Sequence, residues 1–396
     1  MRVAFITFSV VPFGPNDLLF YRTAEELLRH GHQVLISPFD WGPENAEKYD
    51  TSARQGAIVW RRAQTRRSQL FLVRQWQKVK HRIVDHRKSW RFIDRFAPDI
   101  VVVSDPGTFH MISAPGFVDY LMNSRIQYAT ISQYNDENTS LPAGSYQRAR
   151  KLFDKAKHCI FVSQRNLDVA QRQLCLALEH GVVFDNPPNL ESWEPVPFPR
   201  GKFVRMAMVA RLECAVKGQA LLLQALTQPQ WMDRCWELNI YGRGPDESYL
   251  RELIAFVRLQ DRVRLRGHVD DVRTIWADNQ LLVMASSAEG KPLALTEAML
   301  CGRPAVVTDV GGNAELIAEP VTGFVAESAT LASLGNALER AWQQKEHWDV
   351  MGCRAHRIMM KRLQPPPEEL LARLLVQGKK PSAYRGRGEQ PRASTQ

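Results

Sequence analysis

Short apolar runs rich in β-branched residues alternate with segments of helical apolar spacing, and this alternation restarts after a proline-rich interruption. Residues 3–11 form the first run. It ends at the turn Pro12-Phe13-Gly14-Pro15-Asn16, after which 18–29 repeats apolar residues at helical spacing. Runs at 33–37, 99–103, 126–131 and 159–162 predict further strands. Strands separated by helices require parallel crossover connections, so this half reads as βαβ units. Residues 186–201 are dense in proline, which fixes φ and lacks an N–H, so they can neither continue a helix nor fill a central strand. We read 191–202 as an interdomain linker. Beyond it, runs at 204–209, 237–241, 263–265, 281–284, 305–308 and 323–325 alternate with helical segments from about Gln219, Ser248, Pro292 and Leu331. The chain therefore reads as α/β, with doubly wound domains at 1–190 and 203–345. Helices over 346–377 are expected to return to the N-terminal domain, and 378–396 reads as a disordered basic tail.

Length agrees with two domains: 396 residues exceed one ordinary core. Apolar residues make up 44% and charged residues 24%, which excludes a disordered or fibrous body. No apolar run approaches the roughly 18 residues that cross a bilayer. The first run lacks a small-residue cleavage site and reads as a buried strand. Six cysteines without a Cys-x-x-Cys pair read as reduced core thiols, and the ten histidines show no metal-ligand spacing, so no metal site is expected. These features predict a cytoplasmic protein, either free or peripheral at the inner face of the membrane.

The formal charge is +10, and residues 61–95 carry that much alone, with twelve Lys and Arg against Asp85 and Asp94. Apolar residues from Leu70 through Trp76, Ile83 and Trp90 to Ile93 are interleaved at partly helical spacing, which describes an amphipathic basic helix. Packing with a basic outer face, and contact with an anionic membrane surface or anionic acceptor, both fit this segment. Nucleic acid is not expected as a partner, because these bases lie away from the glycine-rich strand ends.

The richest stretch for chemistry is Ser287-Ala-Glu289-Gly290-Lys291-Pro292-Leu293-Ala294-Leu295-Thr296-Glu297, which follows a strand and opens a helix. A helix start offers unpaired N–H groups and the positive end of a dipole, which suit a diphosphate or sugar hydroxyls. Glu289 lies in the approach loop, and Glu297 about a turn and a half inside the helix. Upstream, Arg211 and Lys217 follow a strand and supply cations for a departing pyrophosphate. Tyr241-Gly242-Arg243-Gly244, Gly267-His268-Val269 and Thr308-Asp309-Val310-Gly311-Gly312 are further strand ends with turn chemistry. All belong to the carboxyl edge of one sheet, where α/β domains bind ligands.

These motifs resemble the group 1 family of retaining GT-B glycosyltransferases, most closely from about 204 to 324. The resemblance implies two Rossmann-like domains facing a cleft and a metal-independent transfer from a nucleotide sugar, itself a substrate, with no cofactor. It implies that Arg211 and Lys217 hold the donor diphosphate and that Glu289 meets the transferred sugar. The backbone of Gly290, Lys291, Pro292, Leu293 and Ala294 would serve sugar and phosphate oxygens, Glu297 the ribose, and the backbone near His268 and Val269 the base, with Gly244 also among the donor-binding residues. Gly14 lies in a first loop like the one that approaches phosphate in the family.

The N-terminal half departs from the family pattern: where many members carry a histidine after the corresponding strand, this chain has Ser104 and Asp105, with His110 a few residues on. A structural role for His110 and a substitute role both fit. Asn16 and Asp17 read equally as a plain turn or as acceptor-side residues. The segments Gln133 to Asn138 and Ser163 to Asn166 follow predicted strands and are read as lining the acceptor side. The acceptor is expected to be a glycan or lipid-linked hydroxyl. A catalytically inactive GT-B module that only binds nucleotide sugar is the competing reading.

Overall fold

The computed structural model describes residues 1–9, 13–63, 90–137, 140–141 and 143–378. Two compact units emerge: 1–187 joined by 365–378, and 188–364. The predicted helix core at 64–89, including Leu70, Trp76 and Ile83, and the predicted tail at 379–396 lie outside the described residues.

In the N-terminal unit, β1 (Arg2–Thr7), β2 (Gln33–Ser37), β3 (Ile58–Val59), β4 (Ile100–Asp105), β5 (Gln127–Ser132), β6 (His158–Phe161) and β7 (Gly181–Val183) form one sheet in the order β3-β2-β1-β4-β5-β6-β7. Every pairing is parallel. Alternate residues of β1 feed opposite faces: Ala4 and Ile6 join one apolar cluster, Val3 and Phe5 another. Burial on both faces explains why these strands read as continuous apolar runs. The helix Leu18–Arg29 covers one face, and the helix Pro367–Gln377 packs beside it through Leu371, Leu374 and Leu375.

In the C-terminal unit, β8 (Val204–Val209), β9 (Trp236–Tyr241), β10 (Val263–Gly267), β11 (Leu281–Met284), β12 (Ala305–Thr308) and β13 (Gly323–Ala326) form a second sheet, also parallel throughout, in the order β10-β9-β8-β11-β12-β13. Strand order reverses between β1 and β4 in one unit and between β8 and β11 in the other. Such reversals open a crevice at the carboxyl edge of an α/β sheet.

Three readings are revised. Of the helices expected to return to the N-terminal unit, only Pro367–Gln377 does so. The helix Trp348–Arg362 stays in the C-terminal unit, because Ala355 and Met359 share a core with Leu295 and Ala298, before Pro365 and Pro366 break the chain. The proline-rich stretch belongs to the C-terminal unit: the Val196 N–H donates to the Cys301 carbonyl, and Arg303 donates to the carbonyls of Val196 and Pro197. The cysteines are free, but Cys175, Cys235 and Cys353 are exposed, so only Cys159 and Cys301 are buried core thiols.

Candidate functional site

The β8 and β11 strand ends are held together by backbone. Gly218 has φ +72°, and a Cβ there would lie 2.0 Å from the Ala285 carbonyl oxygen, so only glycine lets the segment after β8 approach this closely. The Ser287 N–H donates to the Val216 carbonyl at 2.9 Å. This contact brings Lys217, the last residue of the short helix Cys214–Lys217, over the loop that follows β11.

There the Lys217 ammonium donates to Glu289 Oε1 at 2.7 Å, and the Ser286 hydroxyl donates to the same oxygen at 2.7 Å. Glu289 is only 6% exposed. Ser286 is fixed in turn by Thr308 at the end of β12, whose hydroxyl donates to the Ser286 carbonyl. Behind Glu289, Gly311 has φ +52°, and a Cβ there would lie 2.2 Å from the Glu289 carbonyl oxygen. The Gly312 N–H donates to the Gly290 carbonyl at 2.7 Å. A carboxylate with an ammonium and a hydroxyl on one oxygen keeps further acceptor capacity for a ligand hydroxyl.

The helix predicted from Pro292 runs Leu293–Leu300, with Pro292 as its N-cap in extended conformation and no side chain capping it. Its first N–H groups, at Leu293 and Ala294, therefore suit an anionic or hydroxyl ligand. Lys291 is buried, and its ammonium lies 3.4 Å from Glu315. Glu297 accepts the Asn189 N–H at 3.0 Å, which ties the proline-rich segment to the site. Arg211 stands apart from the ion pair: its side chain is 61% exposed, with Nε 3.7 Å from Glu213. The β8 and β9 loops are laced through Leu212 N–H to the Arg243 carbonyl and Cys214 N–H to Asp246, with Gly244 against the Leu212 carbonyl. After β10, His268 is exposed with Nε2 3.3 Å from Asp270, while Val269 packs on the core.

The N-terminal unit gathers a second set of groups at its own strand reversal. Asp17 is buried, and it accepts from Thr7, Ser9 and the Gly14 N–H at 3.2, 3.1 and 3.0 Å. These bonds hold the first loop in shape, and burial pushes the Asp17 carboxyl up to about 6. Asn16 is exposed. Ser104, at the end of β4, is buried and accepts the Phe8 N–H through its carbonyl. Asp105 accepts the Met111 N–H at 2.8 Å and the Gly107 N–H at 3.4 Å. His110 Nδ1 lies 3.8 Å from Asp105, and its ring is 59% exposed, with partial desolvation lowering its pKa.

Burial raises the Asp105 carboxyl to about 8. Because the folded value exceeds the unfolded one of about 3.9, protonation favours the fold. The contribution is complete below about pH 4 and is lost as pH rises toward 8. Asp105→Asn is therefore expected to gain stability relative to the parent as pH climbs from 5 to 8. Thermal melts across that range check this, and a constant difference would refute it.

Sequence reasoning nominated Lys217 and Glu289, and the fold joins them. It missed Ser286, whose only signal was a small hydroxyl residue past a strand end, and it named Thr308 in a strand-end turn without assigning its hydroxyl a role. Among the described residues no group of three or more His, Cys, Asp or Glu is placed to hold a metal ion. No helix there is long and apolar enough to cross a membrane.

Residues 204–344 match the family described as Glycosyl transferases group 1. The chain is 31% identical over 119 residues to N-acetyl-alpha-D-glucosaminyl L-malate synthase of Bacillus anthracis, covering 30% of this chain and 31% of that protein. It is 30% identical over 148 residues to the amylovoran biosynthesis glycosyltransferase AmsK of Erwinia amylovora, covering 35% and 36%. The chain thus spans about a third of the length of these curated relatives. In fold it is similar to Anabaena Alr3699/HepE in complex with UDP, with a TM-score of 0.70 at 18% identity over 96% of this chain and 99% of that one. That likeness shows the GT-B fold.

Proposed function

We propose that this chain, whose C-terminal unit belongs to the group 1 glycosyltransferases and whose fold is GT-B, transfers a sugar from a uridine diphosphate sugar to an acceptor hydroxyl with retention. The observation that carries the reading is the half-buried Lys217–Glu289 pair at the β8/β11 reversal, beside an uncapped helix start. In this reading the uncapped N–H groups, Lys217 and Arg211 bind the diphosphate, and Glu289 binds the sugar hydroxyls. The bond from the anomeric carbon to the β-phosphate oxygen breaks as the acceptor oxygen bonds to that carbon from the same face. The acceptor proton passes to the departing phosphate. Lys217 and Arg211 offset the charge that develops, so the reaction needs no metal. The choice of uridine is supported by the UDP bound in the Anabaena neighbour.

The test combines calorimetry with UDP, GDP and ADP and measurement of UDP release from UDP-glucose and UDP-N-acetylglucosamine, with and without chelator. The anomer first released during slow hydrolysis reports the stereochemistry. A first-formed inverted anomer would overturn retention, and failure to bind any of the three nucleotides would overturn the site.

The competing reading, a nucleotide-sugar-binding module without turnover, draws on Ser104 and Asp105 standing where many family members carry histidine. It predicts UDP binding without UDP release.

The two glutamates should separate in kinetics. Glu297 would touch a ribose in ground and transition states alike, whereas Glu289 would tighten on the sugar as charge develops. Glu297→Ala is therefore expected to weaken UDP binding, and Glu289→Gln mainly to lower turnover. Small, equal effects on the UDP dissociation constant and on turnover would sink both assignments.

We also propose, from the sequence charge of 61–95 alone, that this segment meets an anionic membrane surface. Each surface base is worth about 1 kcal/mol there. Reversing Arg66, Arg67, Arg74 and Lys78, all outside the described residues, should reduce sedimentation with phosphatidylserine vesicles and leave UDP affinity intact. Unchanged sedimentation would mark the segment as structural.

A further inference from the structure

The helices before and after β5 end at one recess, at the edge of the N-terminal sheet opposite to the one that carries Ser104 and Asp105. The helix Pro115–Asn123 closes there through Leu121 and Met122, the helix Ala143–Lys155 closes at Lys155, and β5 begins there at Gln127. The recess holds about 380 Å³.

Backbone and fixed side chains set its walls. The Lys157 N–H donates to the Tyr128 carbonyl at 2.8 Å, and the Tyr128 hydroxyl donates to the Leu152 carbonyl at 2.6 Å. The start of β5 thus holds both a cation and an apolar ring in place. The Ser124 hydroxyl donates to the Leu121 carbonyl at 3.0 Å and accepts the Ile126 N–H at 3.4 Å, which closes the turn that carries Arg125.

Arg125, Lys155 and Lys157 line this recess together, and among the described residues none of them pairs with a carboxylate. The Lys157 ammonium donates at 2.7 Å to Gln127, an uncharged partner that leaves its charge unmatched. Asp154, next to Lys155 in the chain, is exposed and forms no ion pair with any of the three. A cation at a helix C-terminus ordinarily answers the dipole, which places about half a negative charge at such an end. Two helix ends therefore offset about one of the three charges and leave about two. Cations gathered in one concavity repel each other, and the field they share concentrates anions. A phosphate monoester carries about −1.5 to −2 at neutral pH, close to that surplus, whereas a carboxylate carries a single charge. A guanidinium offers paired N–H donors to phosphate oxygens, and ammonium groups add point charges.

We propose that this recess is a binding site for a phosphate monoester, separate from the diphosphate site assigned to the C-terminal unit. Arg125, Lys155 and Lys157 hold the phosphate, while Leu121, Ile126 and Tyr128 pack against the body that bears it. A soluble sugar phosphate and a phosphatidic acid headgroup both present this chemistry.

Phosphorus NMR of glucose 6-phosphate with the full chain, in the presence of UDP, reads the soluble form. Sedimentation with phosphatidylcholine vesicles containing phosphatidic acid reads the lipid form, and glucuronate competes as the carboxylate control. The variants are Arg125→Gln, Lys155→Gln and the two combined, with Lys361→Gln removing one exposed charge from the other unit. All are surface changes, so melting midpoints should stay at the parental value. Each recess variant should weaken binding about fivefold and the double variant about twentyfold, the scale of exposed charge pairs at adjacent sites. Lys361→Gln should leave binding unchanged. Losses with glucose 6-phosphate support a soluble ligand, and losses with vesicles alone support a headgroup. Binding of neither ligand, binding unchanged in the double variant, an equal loss in Lys361→Gln, or glucuronate displacing glucose 6-phosphate as well as inorganic phosphate does would overturn the proposal. The recess variants localise the signal whether or not UDP occupies the site assigned to it.

Discussion

Lys217→Ala is expected to lower turnover about a hundredfold or more, on the order of 2.7 kcal/mol in the transition state, as for loss of one preorganised oxyanion contact. The ammonium lies within 2.7 Å of Glu289 and partly shielded from water, so its position is set before substrate arrives. Charge on the departing diphosphate grows as the sugar bond breaks, so the lost interaction falls on the chemical step more than on nucleotide binding. The variant also leaves the Glu289 carboxylate leaning on the Ser286 hydroxyl in place of a cation, which should cost stability and misplace the group assigned to the sugar. Steady-state UDP release gives the rate, and calorimetry gives UDP affinity separately. Combining Lys217→Ala with Glu289→Gln should cost far less than the two single losses together, because the residues act as a pair. Parental turnover in Lys217→Ala would refute the phosphate role.

The second large effect concerns stability. Arg303 is 1% exposed, and its guanidinium donates to the carbonyls of Asn279, Val196, Cys301, Gly302, Pro197 and Trp276 while lying over the Phe198 ring at 5.2 Å. Burial lowers its pKa to about 10, still well above neutrality. Arg303→Met would fill much of the volume but leave several buried carbonyls without a donor, each costing about 1–3 kcal/mol. A total above about 4 kcal/mol places the change among the severe ones. Arg303→Lys should recover part of this, since an ammonium keeps the charge but has three donors in place of five. Urea unfolding followed by tryptophan fluorescence measures the shift. The proline-rich segment that Arg303 anchors also supplies Asn189 to Glu297, so UDP affinity should weaken in Arg303→Met. A midpoint within error of the parent would show that those carbonyls find other donors.

Neither Arg303 nor Ser286 announces itself in the sequence. Arg303 follows a Cys-Gly pair in an ordinary turn, and the carbonyls of two remote segments, Val196-Pro197 and Trp276 with Asn279, converge on it only in the folded unit. Ser286 and Thr308 are ordinary residues at strand ends until one holds the Glu289 carboxylate and the other holds the first. The strands Leu281–Met284 and Ala305–Thr308 and the helix Leu18–Arg29, by contrast, have the bounds that their apolar runs predict. β3, with two residues, and β7, with three, escaped notice because a run so short has no period of its own and takes its extended form from the neighbouring strand.

What the sequence determined alone is the set of properties that one segment carries in its own geometry: strand or helix period, the proline interruption, the parallel α/β class, and motif spacings specific enough to nominate Lys217 and Glu289. The tertiary structure decided which distant segments meet. Helical spacing required Trp348–Arg362 to bury a face but did not say against which unit, and packing with Leu295 and Ala298 settled it. Lys217 and Glu289, 72 residues apart, meet because glycine at 218 allows the end of β8 to lie against Ala285. Periodicity is a local constraint on backbone and side-chain direction, whereas the meeting of remote residues depends on close packing that no single segment encodes.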